Sequence, residues 1–481
     1  MMPPNTPPET DDQVVVDVGE DSPWYVSVDP VRRYATLTFL RGSLVSLAIT
    51  VGAGVLAVLF YIPGAASFLM RPGLSFAALR PIHTTFASAW IFLGGIAVVH
   101  HYLQDHGGAT TSAERRRLLV QVSLWGLTGM GILVTLAMGI SSGREYMGFH
   151  PAFSGAIFLG WLLFAWNFFR AVGRGFWGRP VYVTMWGVGV LLFIYTFLEQ
   201  HVWLFKGVFT SPIVDLRLQW KATGTLIGSF NLLVYGTLYY VGEKLSGDKD
   251  YAYSKLAYAL FGVGLLNSFT NFAHHTYHVP QSEVVKWISF IVSMTEALIL
   301  IRVISDIARM SSRRKGDPFN STRCFIVAAK WWTCAMLFTS LLLSVPPLNA
   351  LVHGTHVVTA HAMGTEIGID SMVLFDAVSW ILSEVLTRRT GTDAVLHSPR
   401  MRFLILGLNV MAGALIVWLN ISGIIVGYTR YQLLPPPEWL QSCNYYVFAG
   451  AGCGTALFLF ALVATWLRIA FGRNGRLTSP V

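Results

Sequence analysis

The sequence predicts an all-α, polytopic membrane protein of about twelve transmembrane helices. Hydrophobic residues make up 54% of the 481 residues and charged residues only 12%, and the mean hydropathy is +0.54, which is outside the balance of an ordinary globular chain. The apolar runs are long enough to cross roughly 30 Å of hydrocarbon. The predicted spans cover residues 39–63, 83–104, 118–141, 152–172, 182–204, 222–244, 256–275, 284–308, 324–346, 354–388, 402–428 and 445–471.

The distribution of basic residues supports the same count. With the N-terminus inside, most of the 34 Lys and Arg residues fall in the inner connections, as expected for cytoplasmic loops. Both termini are therefore predicted to be cytoplasmic. The net charge of +9 reflects this topology and does not indicate nucleic acid binding.

The remaining segments and the cysteines predict no second domain. Residues 1–38 are Pro-rich and acidic and have no apolar stretch suited to a signal sequence, so we expect a disordered cytoplasmic tail. Residues 39–471 form one heme-binding membrane domain, and residues 472–481 a cytoplasmic C-terminal tail. The four cysteines have no CxxC or CxxCH spacing, so neither a zinc site nor a covalently attached c-type heme is predicted.

Histidines at membrane depth are the candidate cofactor ligands, because ionisable groups there normally face a cavity, a partner or a cofactor. His361 and Met363 are two residues apart, so they leave a helix about 200° apart and are predicted to serve two cofactors. His83 lies at the outer end of the second span, at a depth similar to that of Met363. A heme between these two helices would have His83 and Met363 as axial ligands. A polar contact between helices is the alternative role for each lone histidine.

The adjacent pair His274 and His275 ends the seventh span. Neighbouring side chains diverge by about 100° on a regular helix, so both reach one metal ion only where the helix end is distorted. The pair gains significance if it faces His361, because a nonheme metal beside a high-spin heme is an arrangement known for diatomic gas chemistry.

These motifs resemble subunit I of the heme-copper oxidase and nitric oxide reductase superfamily, over roughly residues 40–470. The resemblance rests on twelve spans, on Leu-Arg-Pro-Ile-His-Thr at 79–84, on the His-His pair, and on the pattern from His353 to Met363. It is closest to the C-type oxidase and nitric oxide reductase branches. His-Gly-Thr at 353–355 with Thr-Ala-His at 359–361 is similar to the reductase segment before its high-spin heme ligand.

The resemblance implies roles for particular residues and a heme-copper oxidase-like bundle. His361 would be the proximal ligand of a high-spin heme b, and His83 one ligand of a low-spin heme b. His274 and His275 would be two of the three ligands of a nonheme iron or copper. Glu296, which lies 21 residues after His275, matches the position of an active-site glutamate in nitric oxide reductases.

A loop after the third span adds a further implied site. Gly143-Arg144-Glu145-Tyr146 resembles the loop that in these branches supports the heme propionates and a structural calcium. Arg144 and Glu145 are therefore expected to contact the propionates or a calcium ion.

The sequence also departs from the family pattern. Met363 stands where the family has a second histidine for the low-spin heme, and Met ligation raises a heme potential relative to bis-His. The third nonheme ligand falls on Thr223 or Gly224, the active-site tyrosine of C-type oxidases falls on Ser268, and a second reductase glutamate falls near Ile227. Candidates to complete the metal's ligands are Glu296, His278 and His356.

The leading functional hypothesis is a subunit of the bacterial inner membrane that reduces nitric oxide or oxygen with electrons from a c-type cytochrome. This donor, a cytochrome subunit or a soluble cytochrome c, would bind at the outer face, and other respiratory subunits are implied. One alternative is a catalytically incomplete heme b subunit that transfers electrons or binds gas within a larger membrane complex. A second alternative is a transporter in which the histidines form a proton relay without heme.

Overall fold

The computed structural model describes residues 29–472 except 63, 71–73, 174–177, 206, 208–210 and 314–319. All regular secondary structure in these ranges is helical. The helices are α1 Pro30–Leu59, α2 Ala65–Met70, α3 Phe76–His106, α4 Ser112–Ala137, α5 Ser154–Val172, α6 Val181–Glu199, α7 Pro212–Ser246, α8 Lys255–Thr270, α9 Glu283–Arg313, α10 Ser321–Ser344, α11 Pro346–Val352, α12 His356–Thr365, α13 Ser371–Thr390, α14 Pro399–Tyr431, α15 Glu438–Val447 and α16 Cys453–Phe471.

The twelve predicted spans correspond to twelve long helical units, so the predicted fold class is confirmed. A π-helical turn, Glu366–Asp370, joins α12 to α13, and a second, Phe448–Gly452, joins α15 to α16. Within the described residues, ten units are long and apolar enough to cross a membrane. The two long units outside that set are α7 and the α12–α13 pair, which carry polar side chains along their length.

The first helix begins earlier than the sequence predicts. Asp29 caps α1, because its Oδ1 accepts the backbone N–H of Val31 at 2.9 Å. Residues 30–38 are therefore helical, and the predicted tail boundary at residue 38 is wrong. Arg32 on this first turn is buried and donates to Gly107 O at 2.8 Å. Residues 1–28 and 473–481, the rest of the two predicted tails, lie outside the described residues.

Burial separates central helices from helices that face lipid. The apolar windows of α3 and α6 are 78% and 72% buried, whereas those of α4 and α9 are 22% and 17% buried. Near the C-terminal end of α3 a polar cluster joins the central helices α3, α7 and α13. His101 Nδ1 lies 2.8 Å from the Tyr240 hydroxyl, and His101 Nε2 lies 3.2 Å from Glu384 Oε2.

Glycines allow close approach where bulky side chains cross the bundle. Gly236 on α7 lies against the indole of Trp186 on α6, and a Cβ at residue 236 would come 2.5 Å from Trp186 Nε1. That nitrogen donates to Leu233 O of α7 at 3.2 Å, so the ring is held against the helix that carries Gly236 and has little freedom to move.

We predict that Gly236→Ala destabilises the protein by about 1–3 kcal/mol, the usual cost of overpacking a well-packed core. Gly262→Ala on α8 is the matched control, because a Cβ there meets no atom within 4 Å. The measurement is the apparent unfolding temperature of each variant in detergent. Equal temperatures for the two variants would contradict the packing assigned to Trp186.

Candidate metal and heme centre

Three predicted ligands, from the turn that ends α8 and from α12, lie together. The ring centroids of His274 and His275 lie 4.2 Å apart, and those of His274 and His361 lie 6.2 Å apart with perpendicular planes. The condition placed on the histidine pair, that it faces His361, is therefore met by the geometry.

The helix end that carries the pair is distorted, as binding by both side chains requires. The α-helix stops at Thr270, and residues Asn271–His275 continue as a 3-10 turn. Trp220 of α7 stacks on His275 with ring centroids 4.6 Å apart and planes 5° apart. The Asn349 amide donates to His274 O at 2.9 Å. The stacking orients the His275 ring, and the hydrogen bond holds the backbone at His274.

One further histidine lies beside this cluster, and another does not. His353 interacts electrostatically with His274 and His275 and stacks on His278 with centroids 4.4 Å apart. His356, proposed as a substitute ligand, instead lies 2.9 Å from the Ser422 hydroxyl of α14. Distance along the chain gave no signal for this difference, since both histidines lie in one short segment.

The position of the missing family ligand is filled by other groups. The Thr223 hydroxyl accepts Gln200 Nε2 at 3.2 Å and is fully buried. At Gly224, a Cβ would overlap Oδ1 of Asn271 and come 3.2 Å from the Cβ of Phe272. The Thr223 hydroxyl is therefore hydrogen-bonded to Gln200, and the Asn271 side chain fills the space beside Gly224.

Four buried polar atoms around the cluster have no hydrogen-bond partner among the described residues. They are His274 Nδ1, His361 Nδ1, Asn271 Oδ1 and Asn349 Oδ1. Buried polar atoms are nearly always satisfied, so each of these atoms requires an explanation, such as a bound ion or cofactor. The donor set fits metal and heme binding in its chemistry. Seating a porphyrin between His361 and His274 requires these two rings to separate, because they are in contact.

His83 is oriented in the way a heme ligand requires. Its Nδ1 lies 2.9 Å from the carbonyl oxygen of Thr50 on α1. A carbonyl only accepts, so Nδ1 carries the proton and Nε2 presents its lone pair, a standard device for orienting a ligating imidazole. Gly54 lies directly against the ring, and a Cβ there would come 2.8 Å from Nδ1. Met363 on α12 is half-buried against the core.

The loop predicted to support propionates and calcium is held by ion pairs. Glu145 accepts two contacts from Arg80 Nη2, at 2.7 and 3.0 Å, and Arg144 donates to Asp215 at 2.6 Å. Tyr146 donates to Glu366 at 3.3 Å, which connects the loop to the π turn after His361. In the part of the chain that the structure describes, no group of three or more His, Cys, Asp or Glu side chains is placed to hold a metal ion.

Glu296 is buried on α9, but both its oxygens are occupied. The Tyr235 hydroxyl donates to Oε1 at 2.8 Å, and the Asn267 amide donates to Oε2. The Asn267 carbonyl in turn accepts the Ser293 hydroxyl at 2.8 Å. Glu296 is therefore a member of a satisfied polar network, and its predicted movement to the metal would break two hydrogen bonds.

The fold and the site together define a multi-pass helical membrane protein with a buried histidine centre. The family described as Cytochrome C and Quinol oxidase polypeptide I matches residues 34–470. The chain belongs to this family, the subunit I family of the heme-copper oxidases. A solved cryo-EM structure of a heme-copper terminal oxidase dimer is similar in fold, with a TM-score of 0.70 at 16% identity over 94% of this chain and 86% of that chain. No curated protein matches the sequence.

Family membership gives the function in outline. The family is one of heme-containing oxidoreductases with copper or nonheme iron at a binuclear centre. It indicates a respiratory role of the oxygen- or nitric oxide-reducing type, in complexes with other subunits.

We predict that Gly54→Ala displaces the His83 ring and lowers heme content from two hemes b per chain towards one. Gly52→Ala is the matched control on the same helix, because a Cβ there makes an ordinary 3.7 Å contact with Phe460. Pyridine hemochrome analysis of the purified proteins measures the heme content. Full heme content in Gly54→Ala, with an unchanged low-spin spectrum, would remove His83 as a ligand.

Proposed function

We propose that this chain is the catalytic subunit of a bacterial inner-membrane nitric oxide reductase, receiving electrons from a c-type cytochrome at the outer face. The observation that supports this most strongly is the convergence of His274, His275 and His361 in the outer half of the bundle. The basic residues support a topology with both termini in the cytoplasm, which puts this centre near the side where a periplasmic cytochrome would dock.

Two hemes b are the cofactors that the ligands favour. His361 would hold a high-spin heme, and His83 with Met363 a low-spin heme. When bound, hemes supply one-electron transfer and a gas-binding iron. The chain's part is to orient the imidazoles, which the Thr50 carbonyl does for His83.

Iron is the favoured metal at His274 and His275, with copper the less favoured choice. Imidazole suits either metal, and an oxygen donor in the remaining position shifts preference from copper towards harder ions. Oxygen-bearing groups, Asn271 and Thr223, occupy the region where the family has its third histidine.

Two observations favour nitric oxide over oxygen as the substrate. Nitric oxide reduction joins two molecules, two electrons and two protons into nitrous oxide and water, so it needs a proton source but no phenol. Glu296 with Tyr235 provides a buried carboxyl that can hold a proton at Oε1. Ser268, which stands in place of the oxidase tyrosine, donates to Gly264 O of its own helix at 2.9 Å.

The second candidate is a heme b subunit that transfers electrons or binds gas without turnover. The engagement of the Thr223 hydroxyl by Gln200 favours it, because the metal then has only two imidazole ligands from the predicted set. Catalytic metal sites usually have about three protein ligands.

We predict that the purified complex contains one nonheme iron per chain and consumes nitric oxide faster than oxygen. Elemental analysis, corrected for heme iron, and gas electrodes give both quantities. One copper per chain with fast, cyanide-sensitive oxygen uptake would identify an oxidase. Two hemes with no further metal and no turnover would leave the electron-transfer candidate.

Glu296→Gln should lower nitric oxide turnover by about 100-fold, the low end for loss of an acid–base group, because the amide keeps a hydrogen-bonding shape without an exchangeable carboxyl proton. Glu283→Gln is the control on the same helix, since Glu283 is exposed and paired only with Lys286. Equal activity of the two variants would show that Glu296 has a structural role.

Met363→His should lower the midpoint potential of the low-spin heme, because imidazole stabilises ferric iron better than a thioether does. Spectroscopic redox titration gives the potential, and Met363→Leu, which removes the donor, should produce a high-spin spectrum. Bis-His ligation in the near-infrared magnetic circular dichroism of the unmodified protein would mean that another histidine is the ligand.

A further inference from the structure

We infer that the side-chain oxygen of Asn271 is the third protein donor to the distal metal, beside His274 and His275. The inference rests on the proposed function, because it concerns the metal of that centre. It replaces the candidates Glu296, His278 and His356 by a residue that belongs to the same turn as the histidine pair.

The two ends of the Asn271 amide are treated differently by the fold. Its nitrogen is directed to the Gly224 carbonyl at 3.4 Å, and its oxygen lies against the Cα of the same glycine, where a Cβ would overlap it. Asn271 Oδ1 is buried and has no hydrogen-bond partner among the described residues. A buried carbonyl oxygen without a donor costs about 1–3 kcal/mol, and a bound cation would remove that cost.

The oxygen stands where a side chain on α7 would otherwise enter the site. A Cβ at residue 224 would overlap Asn271 Oδ1. Residue 224 is one of the two positions on which the family's third histidine falls. The absence of a Cβ at Gly224 therefore makes room for the Asn271 oxygen beside the histidine pair.

The local backbone puts the amide and the first histidine on one side. Asn271–His275 is a 3-10 turn, in which side chains three residues apart eclipse each other. Asn271 and His274 are separated by three residues, and His274 Nδ1 is also buried without a partner. Two orphan atoms therefore lie on one face of the turn, and the ring centroids of His274 and His275 are 4.2 Å apart, so one metal ion is offered donors from three residues of the same turn.

Other candidates are already engaged. Tyr235 and Asn267 occupy both oxygens of Glu296, and Ser422 holds His356. The described His, Cys, Asp and Glu side chains form no group of three that is placed to hold a metal. The amide oxygen of Asn271 lies outside those residue types.

The first test measures metal content together with heme content, so it does not depend on turnover. Asn271→Leu keeps the size of the side chain but removes the oxygen, and it should lose most of the nonheme iron at full heme content. Asn271→Asp keeps an oxygen donor and adds charge, so it should retain the iron through dialysis against a chelator. The control is Asn420→Leu, which should keep its iron. Asn420 is a buried asparagine on α14 that accepts a hydrogen bond from Thr339.

The second test exchanges the two positions. Gly224→His alone should bind no more nonheme metal than Asn271→Leu does, because the new imidazole collides with the Asn271 amide. The double variant Gly224→His and Asn271→Gly removes the collision, and it should bind one metal again with copper now preferred over iron. Elemental analysis after loading with either metal gives this preference.

The outcomes separate this inference from the proposed function. One outcome is that the unmodified protein and Asn271→Leu both contain nonheme iron, whereas His353→Ala lacks it. This result would make His353 the third ligand and overturn the inference, while the proposed function stands. Two hemes without any nonheme metal in the unmodified protein would overturn both. If Asn271→Leu fails to fold, Asn271→Asp provides the test. Its iron should resist removal by a chelator better than the iron of the unmodified protein, whereas a residue that does not bind the metal would leave that resistance unchanged.

Discussion

The centre depends on one local constraint, the 3-10 turn that ends α8. In hydrocarbon every backbone carbonyl must find a donor within the protein, and a change of helical winding leaves carbonyls open. Here side-chain amides add donors. Gln281 Nε2 donates to Ala273 O at 3.2 Å, beside the Thr276 backbone N–H at 2.9 Å, and Asn349 Nδ2 donates to His274 O at 2.9 Å. The turn is stable because of these distant amides, and it directs two adjacent imidazoles towards one region.

The polar groups of the bundle follow from the same limit on exposure to lipid. The two units that lack a strongly apolar window, α7 and α12–α13, both contribute to the site, because α12 carries His361 and Trp220 of α7 stacks on His275. Asp370 and Asp376 are almost fully buried along α13 and its π turn, a position that only a helix surrounded by protein can tolerate. A helix that faces lipid, such as α9, turns its one buried carboxylate, Glu296, towards Tyr235.

The sequence was sufficient for the features that depend on local pattern. Apolar run length predicted the spans, and histidines at membrane depth marked His274, His275 and His361 as candidate ligands. Whether the pair faces His361 depends on packing between α8 and α12, so the sequence could state it only as a condition. The start of α1 was missed because the Asp29 cap lies in a polar segment that resembles a tail. His353 and Asn271 were missed for a different reason, since their neighbours are set by packing between helices, and asparagine belongs to no common ligand motif.

The sequence lacks the family's histidine on α7 and its tyrosine on α8, and the packing of these two helices accounts for both departures. Gly224 and Gly228 are four residues apart and therefore share a face of α7, in the spacing that lets helices approach closely in membranes. A Cβ at Gly224 would overlap Asn271, and a Cβ at Gly228 would overlap the Ser268 hydroxyl. With the helices this close, a histidine on α7 and a tyrosine on α8 are both too large for the interface. The loss of each family residue is thus a consequence of the same approach, and the oxygen of Asn271 is the donor that this approach leaves beside the histidines.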